Sequence, residues 1–577
     1  MPTLDSLSNE LLMEIFRLIH DSSRHTIFTL LRVNKLISEA ALPFAYRELS
    51  FNFDQTRVPP YRNAKRRKEK NVEPYTQSLQ NLNLLLQLPP DSTIWKGIRK
   101  VTVRSKVAVW PGEDPDARWL RQLDIPTEPP FTPAEEAVQA KWSSFITFIS
   151  RVVHLREVAF DCAERVPIVL LESLEAHHLL CSLHVKNWTR LRSDVRLGDP
   201  YEEALAQSPC LRSLQAMFVY GEPGMDYNYE AFQRILALSP SLEEIAYSRR
   251  TSGGCVIHYL SPDEKAEEER ERKHFRVGKP VKKVNIRTIK WDSLRPVLLQ
   301  DWASFIDLRK VETLELNRFH GIEWMGYAMD RKTFSGLKHL SFKIDHYFRD
   351  SQREFKSTLE NFLNSLSPLE SLSVVQYYDY IDLYNLLPHH GPSLRSLSLH
   401  QAENKPNSRP TLTLDDLNFI LSNTPNLEDL EFDLNRTQSP QENEMKTYEV
   451  VSSFPSLRSV TIHYDLGIYH DAFDGYFSFD TYFDNDEQHI SLEIAKYNEI
   501  YTTIDNHFAR EVWQMVCTPR FDRLVLYVGE PNREVGLGRP APWMVTEKKD
   551  SKCICLCRNE RDDLRDNISA PQVIEGL

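Results

Sequence analysis

The side chains best suited to chemistry fall in three short stretches. "KCICLC" sets Cys553, Cys555 and Cys557 at alternate positions, which an extended strand turns to one face. Zinc sites usually pair cysteines across a few residues with a second, distant pair, so this stretch reads as unpaired thiols. His389 and His390 precede Gly391 without a neighbouring cysteine or carboxylate, and read as solvated residues of a turn. Asp415 and Asp416 are adjacent carboxylates, but they open a helical pattern, where the field of the helix terminus favours negative charge without any catalytic role. No P-loop, dinucleotide fingerprint, nucleophile elbow or H-E-x-x-H segment occurs, and no activated Cys with a positioned His can be read. The residues therefore predict no enzyme, no cofactor and no bound metal.

The elements that would hold such residues belong to a chain of 577 residues, too long for one ordinary core and suited to several domains or to a repeat array. Its net charge of -12 disfavours nucleic acid as a partner. No stretch of apolar residues is long enough to span a membrane, and Asp5, Glu10 and Glu14 interrupt what would be a signal peptide. Eight cysteines scattered along a chain of this kind read as reduced thiols of the cytosol or nucleus.

Past residue 50 one pattern returns: "SPSLEEIAY" from Ser239, "SPLESLSVV" from Ser367, "PSLRSLSLH" from Pro392, "PNLEDLEFD" from Pro425 and "FPSLRSVTIH" from Phe454. Further copies start at Leu155, Leu211, Val311, Leu337 and Phe521, with weaker ones at Ile98, Leu180 and Val281. The consensus is L-x-x-L-x-L, and the period of roughly 25 to 33 residues is near that of leucine-rich repeats. In Leu394, Leu397 and Leu399 the last two lie two apart, so a strand points both inward while Ser398 and His400 face away. A helical stripe of Leu417, Ile420 and Leu421 precedes the next strand and stops at Asn423, Thr424 and Pro425. One strand and one helix cannot bury their own apolar face, so the units stack. The predicted fold is α/β: an irregular solenoid with parallel strands on its concave face.

Before the repeats stands "LSNELLMEIFRLI", in which Leu11, Ile15 and Ile19 fall four apart and Leu12 and Phe16 share the adjoining stripe. Ile27, Leu30, Leu31, Val33, Leu36 and Ile37 supply two more short helical stripes, and Pro43 interrupts helical continuation. Three short helices bury too little for robust independent stability, so packing on a neighbour is expected. This N-terminal stretch resembles an F-box, whose pattern begins L-P-x-E-L and continues with an I-F pair and a V-x-[KR] segment. Leu7, Glu10, Leu11, Ile15, Phe16, Leu30, Val33 and Lys35 fall at its positions, while Ser8 stands where the family has proline. Serine caps a helix but leaves the unfolded chain freer, a difference of roughly 0.4 to 1 kcal/mol.

The resemblance implies that these nine residues, Ser8 included, contact a Skp-type adaptor and through it a cullin, and that the repeats hold a protein substrate. The chain then serves as the substrate receptor of an SCF-type ubiquitin ligase. A leucine-rich-repeat scaffold acting outside ubiquitin ligation is the alternative. The divisions expected are an F-box over 1–50, a linker over 51–92, the array over 93–530 and a tail over 531–577. The basic run "KRRKEK" at 65–70 reads as a solvated linker or an import signal. Counting outward positions along the strands yields Asn317, Lys343, His400, Asp433, His463 and Tyr527 as an exposed row for the substrate. The aromatic and acidic insertion at 464–506 reads either as a cap on the array or as a binding loop.

Overall fold

A computed structural model describes residues 7–22, 24–53, 74–105, 135–162, 165–188, 199–219, 228–250, 283–293, 296–319, 322–344, 352–401, 410–435, 442–465, 506–528, 552–557 and 572–575. The basic run at 65–70 and nearly all of the 464–506 insertion lie outside them. The chain divides into two compact units: Met1–Ile286 with Ser304–Asp307, and Arg287–Ala303 with Leu308–Leu577.

The first unit opens with three helices, α1 (Asn9–Ser22), α2 (Arg24–Leu30) and α3 (Lys35–Ala45). Ser8 Oγ accepts the Leu11 N–H at 3.4 Å, and Asn34 Oδ1 accepts the Ile37 N–H at 2.9 Å, so α1 and α3 each start on a side-chain oxygen. Pro43 does not end α3, contrary to the expectation from sequence. It lies within the final turn, and the helix continues to Ala45. α3 packs on the short helix Thr93–Gly97, where a Cβ on Gly97 would sit 2.8 Å from the Pro43 Cα.

Six parallel strands follow in sequence order: β1 (Glu48–Asn52), β2 (Lys100–Ser105), β3 (Glu157–Cys162), β4 (Ser182–Trp188), β5 (Leu211–Val219) and β6 (Glu244–Arg250). A helix lies between each pair from β2 to β6. Aromatic residues fill the start of this layer, with Phe51 edge-on to Phe148 at 5.3 Å and Phe53 edge-on to Trp142 at 5.4 Å. Cys162, Cys181 and Cys210 are buried cysteines. Burial, with the neighbouring Cys210 and Glu157, pushes the Cys181 thiol up to about 12.

The second unit repeats the plan with β7 (Thr288–Ser293), β8 (Thr313–Phe319), β9 (His339–Ile344), β10 (Ser371–Val375), β11 (Ser396–His400), β12 (Asp429–Asn435), β13 (Ser459–Asp465) and β14 (Arg523–Val528), all parallel. Register explains why the motif recurs. Leu340, Leu372, Leu397, Leu430, Val460 and Leu524 form one buried row, and Phe342, Val374, Leu399, Phe432, Ile462 and Leu526 form the next. Each repeat thus buries its strand leucines against the same positions of its neighbours. The residue before the first leucine locks repeats together: Ser393 Oγ donates to Leu369 O (2.7 Å), Asn426 Nδ2 to Pro392 O (2.9 Å) and Ser456 Oγ to Pro425 O (3.0 Å).

Two sequence expectations change here. The weak copy read from Val281 is out of frame, since only Val284 makes an isolated bridge, and the strand starts at Thr288, inside the overlapping series Ile286, Ile289 and Trp291. The 531–577 segment is also more than a tail. Lys552–Cys557 forms β15, antiparallel to β14, and Gln572–Glu575 forms β16, antiparallel to β15.

Candidate functional site

Two places were singled out from sequence, and side-chain burial decides what each offers. On the three helices, Leu12, Phe16, Ile27, Ile37 and Phe44 form a shared core. Phe16 is fully buried in it, which corrects the expectation that Phe16 waits for a partner: the i, i+4 stripe is wide enough for its Leu12 and Phe16 side to serve the internal core. Leu7, Ile15 and Leu30 pack half-buried against that core. Leu11 and Val33 remain outside it, 54% and 56% exposed, and Leu18, Phe28 and Leu36 are exposed as well. Ser8 and Lys35 are exposed, the latter 3.9 Å from Glu39, while the Glu10 side chain lies outside the described residues.

On the strands, pairing aligns Lys343 with Val375, Val375 with His400, Asp433 with His463, and His463 with Tyr527. Asn317 lies in β8, and its side chain is outside the described residues. Lys343 is exposed. The expected exposed row is overturned at two members, since Asp433 and His463 retain only 1% and 3% exposure, while His400 and Tyr527 are partly exposed. The cause is mutual packing. His400 Nδ1 donates to Asp433 Oδ1 at 2.8 Å, and the Gln401 N–H donates to Asp433 Oδ2 at 2.5 Å. His463 Nε2 donates to Glu431 Oε1 at 2.6 Å. The His400 and His463 rings approach to 4.2 Å across Asp433, and the Tyr527 ring stacks on His463 at 4.9 Å.

Glu431 was not singled out from sequence, although the alternation of β12 places it on the face of Asp433. Burial alone would raise its carboxyl. Hydrogen bonds from His463 and Ser398, with the imidazole charges, outweigh burial and hold it below the usual carboxylate range. The arrangement is two imidazole–carboxylate pairs on adjacent strands.

The two histidines expected to be solvated are structural. His390 is fully buried: its Nδ1 accepts the Leu369 N–H at 3.2 Å and its Nε2 donates to Leu363 O at 3.1 Å. His389 reaches Leu366 O at 2.9 Å. Asp416 completes a capping box with Thr413 at the start of the helix Leu414–Asn423. On the helix side, Tyr448 donates its hydroxyl to the buried Glu444 at 2.6 Å, beside a groove of about 330 Å³ lined by Met445, Phe508 and Met515. No group of three or more metal-ligating residues suited to an ion occurs among the described residues. Cys553, Cys555 and Cys557 align with Tyr527, Val525 and Arg523, and their side chains lie outside the described residues. No helix among the described residues is long and apolar enough to cross a membrane.

The fold defines an α/β protein of stacked strand–helix repeats. Compared with models of known protein families and with curated proteins, the sequence matches none.

Proposed function

We propose that this chain is the substrate receptor of an SCF-type cullin ubiquitin ligase, with α1–α3 engaging a Skp-type adaptor and the repeats holding a protein substrate. The observation that carries this reading is the apolar surface of the three helices. Leu11 and Val33, which occupy positions of the resemblance, stand more than half exposed although the unit already has its own core. Exposed apolar side chains that local packing does not need are suited to a partner chain. In this reading Phe16 positions α1 from within, and Leu11, Leu18, Phe28, Val33 and Leu36 supply the contact. The chain itself performs no transfer chemistry, which belongs to other subunits, and it acts in the cytoplasm or nucleus.

The test is co-purification of the full chain with a Skp-type adaptor. Replacing Leu11 and Val33 together by Asp is expected to weaken capture at least tenfold, since burying each apolar side chain contributes about 1.5–3 kcal/mol. The melting temperature should stay within a degree or two, because neither residue belongs to the internal core. Undiminished capture by the variant, or none by the parent chain, overturns the ligase reading and leaves a repeat scaffold.

A further inference from the structure

The His400–Asp433 and His463–Glu431 pairs form a rim on the outward face of β11 to β13, with His400 closing β11 and Glu431, Asp433 and His463 inside their strands. The group that shows what this rim lacks is His463. A carboxylate only accepts hydrogen bonds, so the contact with Glu431 Oε1 puts the ring proton on Nε2. In its neutral form that ring presents Nδ1 as an acceptor, and the atom is buried with no partner among the described residues. A second acceptor is in the same position. Gln376 follows β10 with a left-handed backbone (φ 66°), and its N–H donates to His400 O at 2.6 Å. Its Oε1 is buried and likewise without a partner among the described residues. Buried acceptors left without donors cost about 1–3 kcal/mol each, so the rim is short of N–H groups.

Charge points the same way. Glu431 remains ionised, 36% of its side chain is accessible, and its only ion-pair partner among the described residues is His463. The arginines that immediately precede β11 and β13 are already matched, Arg395 with Glu428 and Arg458 with Asp522. The Tyr527 ring, stacked on His463, adds a partly exposed aromatic face.

From these observations we infer that the strand-face rim around Glu431, His463 and Tyr527 is a recognition site for a guanidinium group, that of an arginine side chain on a bound protein. Arginine carries five N–H donors in a planar fork, which suits a carboxylate, an unpaired ring nitrogen and an aromatic face together. An anionic ligand meets two carboxylates here and gains no donor beyond the imidazoles. The inference deepens the reading of the repeats as a substrate-holding surface and rests on it.

The test uses the full chain with histidine isotope-labelled at ring Cε1, the His463 signal being assigned with His463→Asn. Acetyl-arginine amide is expected to move that signal saturably. Acetyl-citrulline amide, which has the same shape without the charge, should need at least tenfold higher concentration. Glu431→Gln and, separately, Tyr527→Leu should each weaken the arginine response several-fold while the melting temperature shows the fold intact. Equal responses to arginine and citrulline amides, or movement by O-phosphoserine instead of arginine, overturn the assignment. So does an unmoved signal in the folded parent chain, which would mean that a buried water satisfies Nδ1. Because the titration contains no adaptor, these failures leave the adaptor reading untouched, and loss of adaptor capture leaves an arginine response standing.

Discussion

His390 shows how a residue of ordinary chemistry becomes a structural part. To accept the Leu369 N–H at Nδ1 and donate from Nε2 to Leu363 O, the ring must be neutral. Burial, and secondarily the charge of His389, lowers its pKa to about 4. In the unfolded chain a histidine titrates near 6.5, so between those values only the unfolded state takes up the proton. The stabilising contribution is therefore complete above pH 6.5 and is lost as pH falls towards 4, by up to about 3 kcal/mol. Urea unfolding at pH 7.5 and pH 5 should show the loss. His390→Asn, which keeps an acceptor for Leu369, should flatten the profile at the cost of a lower midpoint at pH 7.5. A parent chain equally stable at both pH values would contradict the assignment. None of this was legible in "PHHG", because the partners lie 21 and 27 residues away, and only stacking of one repeat on the next brings them together. The strand row was legible in part. Alternation in β11 to β14 placed His400, Asp433, His463 and Tyr527 together, but it could not report that cross-strand pairing of imidazoles with carboxylates would bury Asp433 and His463.

At the scale of elements, the three N-terminal helices divide their apolar residues between an internal core and an open surface. That division was half legible: the i, i+4 spacing identified the helices, but a wide stripe does not say which edge faces inward, and Phe16 went to the core. Two substitutions separate the roles. Phe16→Ala should cost about 3–5 kcal/mol and make residues 7–45 sensitive to protease. Gly97→Ala tests the seam between α3 and the first repeat. The new Cβ would meet the Pro43 backbone at 2.8 Å, and backbone cannot yield as a side-chain tip does. Overpacking of this kind costs about 1–3 kcal/mol, more than the roughly 1 kcal/mol that alanine gains over glycine within a helix. Gly97→Ala should therefore lower the midpoint of unfolding. A rise would mean that α3 and Thr93–Gly97 can separate freely.

For the whole molecule, the consequence of the L-x-x-L-x-L pattern is that each strand satisfies its backbone on its neighbours, so a stack of parallel repeats must find some way to end. The repeats were readable because the same positions recur, with Leu337, Leu369, Leu394, Leu427, Leu457 and Phe521 each lying two residues before a strand and each buried. The end of the array was not readable, since "KCICLC" carries no copy of the motif and its pairing is antiparallel. β15 covers the N–H and C=O groups that β14 would otherwise present as an open edge, and β16 in turn covers β15. Removing residues 552–577 should therefore expose β14 and the apolar row ending at Leu524 and Leu526. The expected results are concentration-dependent association in light scattering and faster amide exchange along Arg523–Val528, with the β9–β11 amides unchanged. A truncated chain that stays monodisperse, with β14 still protected, would show that the antiparallel pair is dispensable and that another part of the chain closes the sheet.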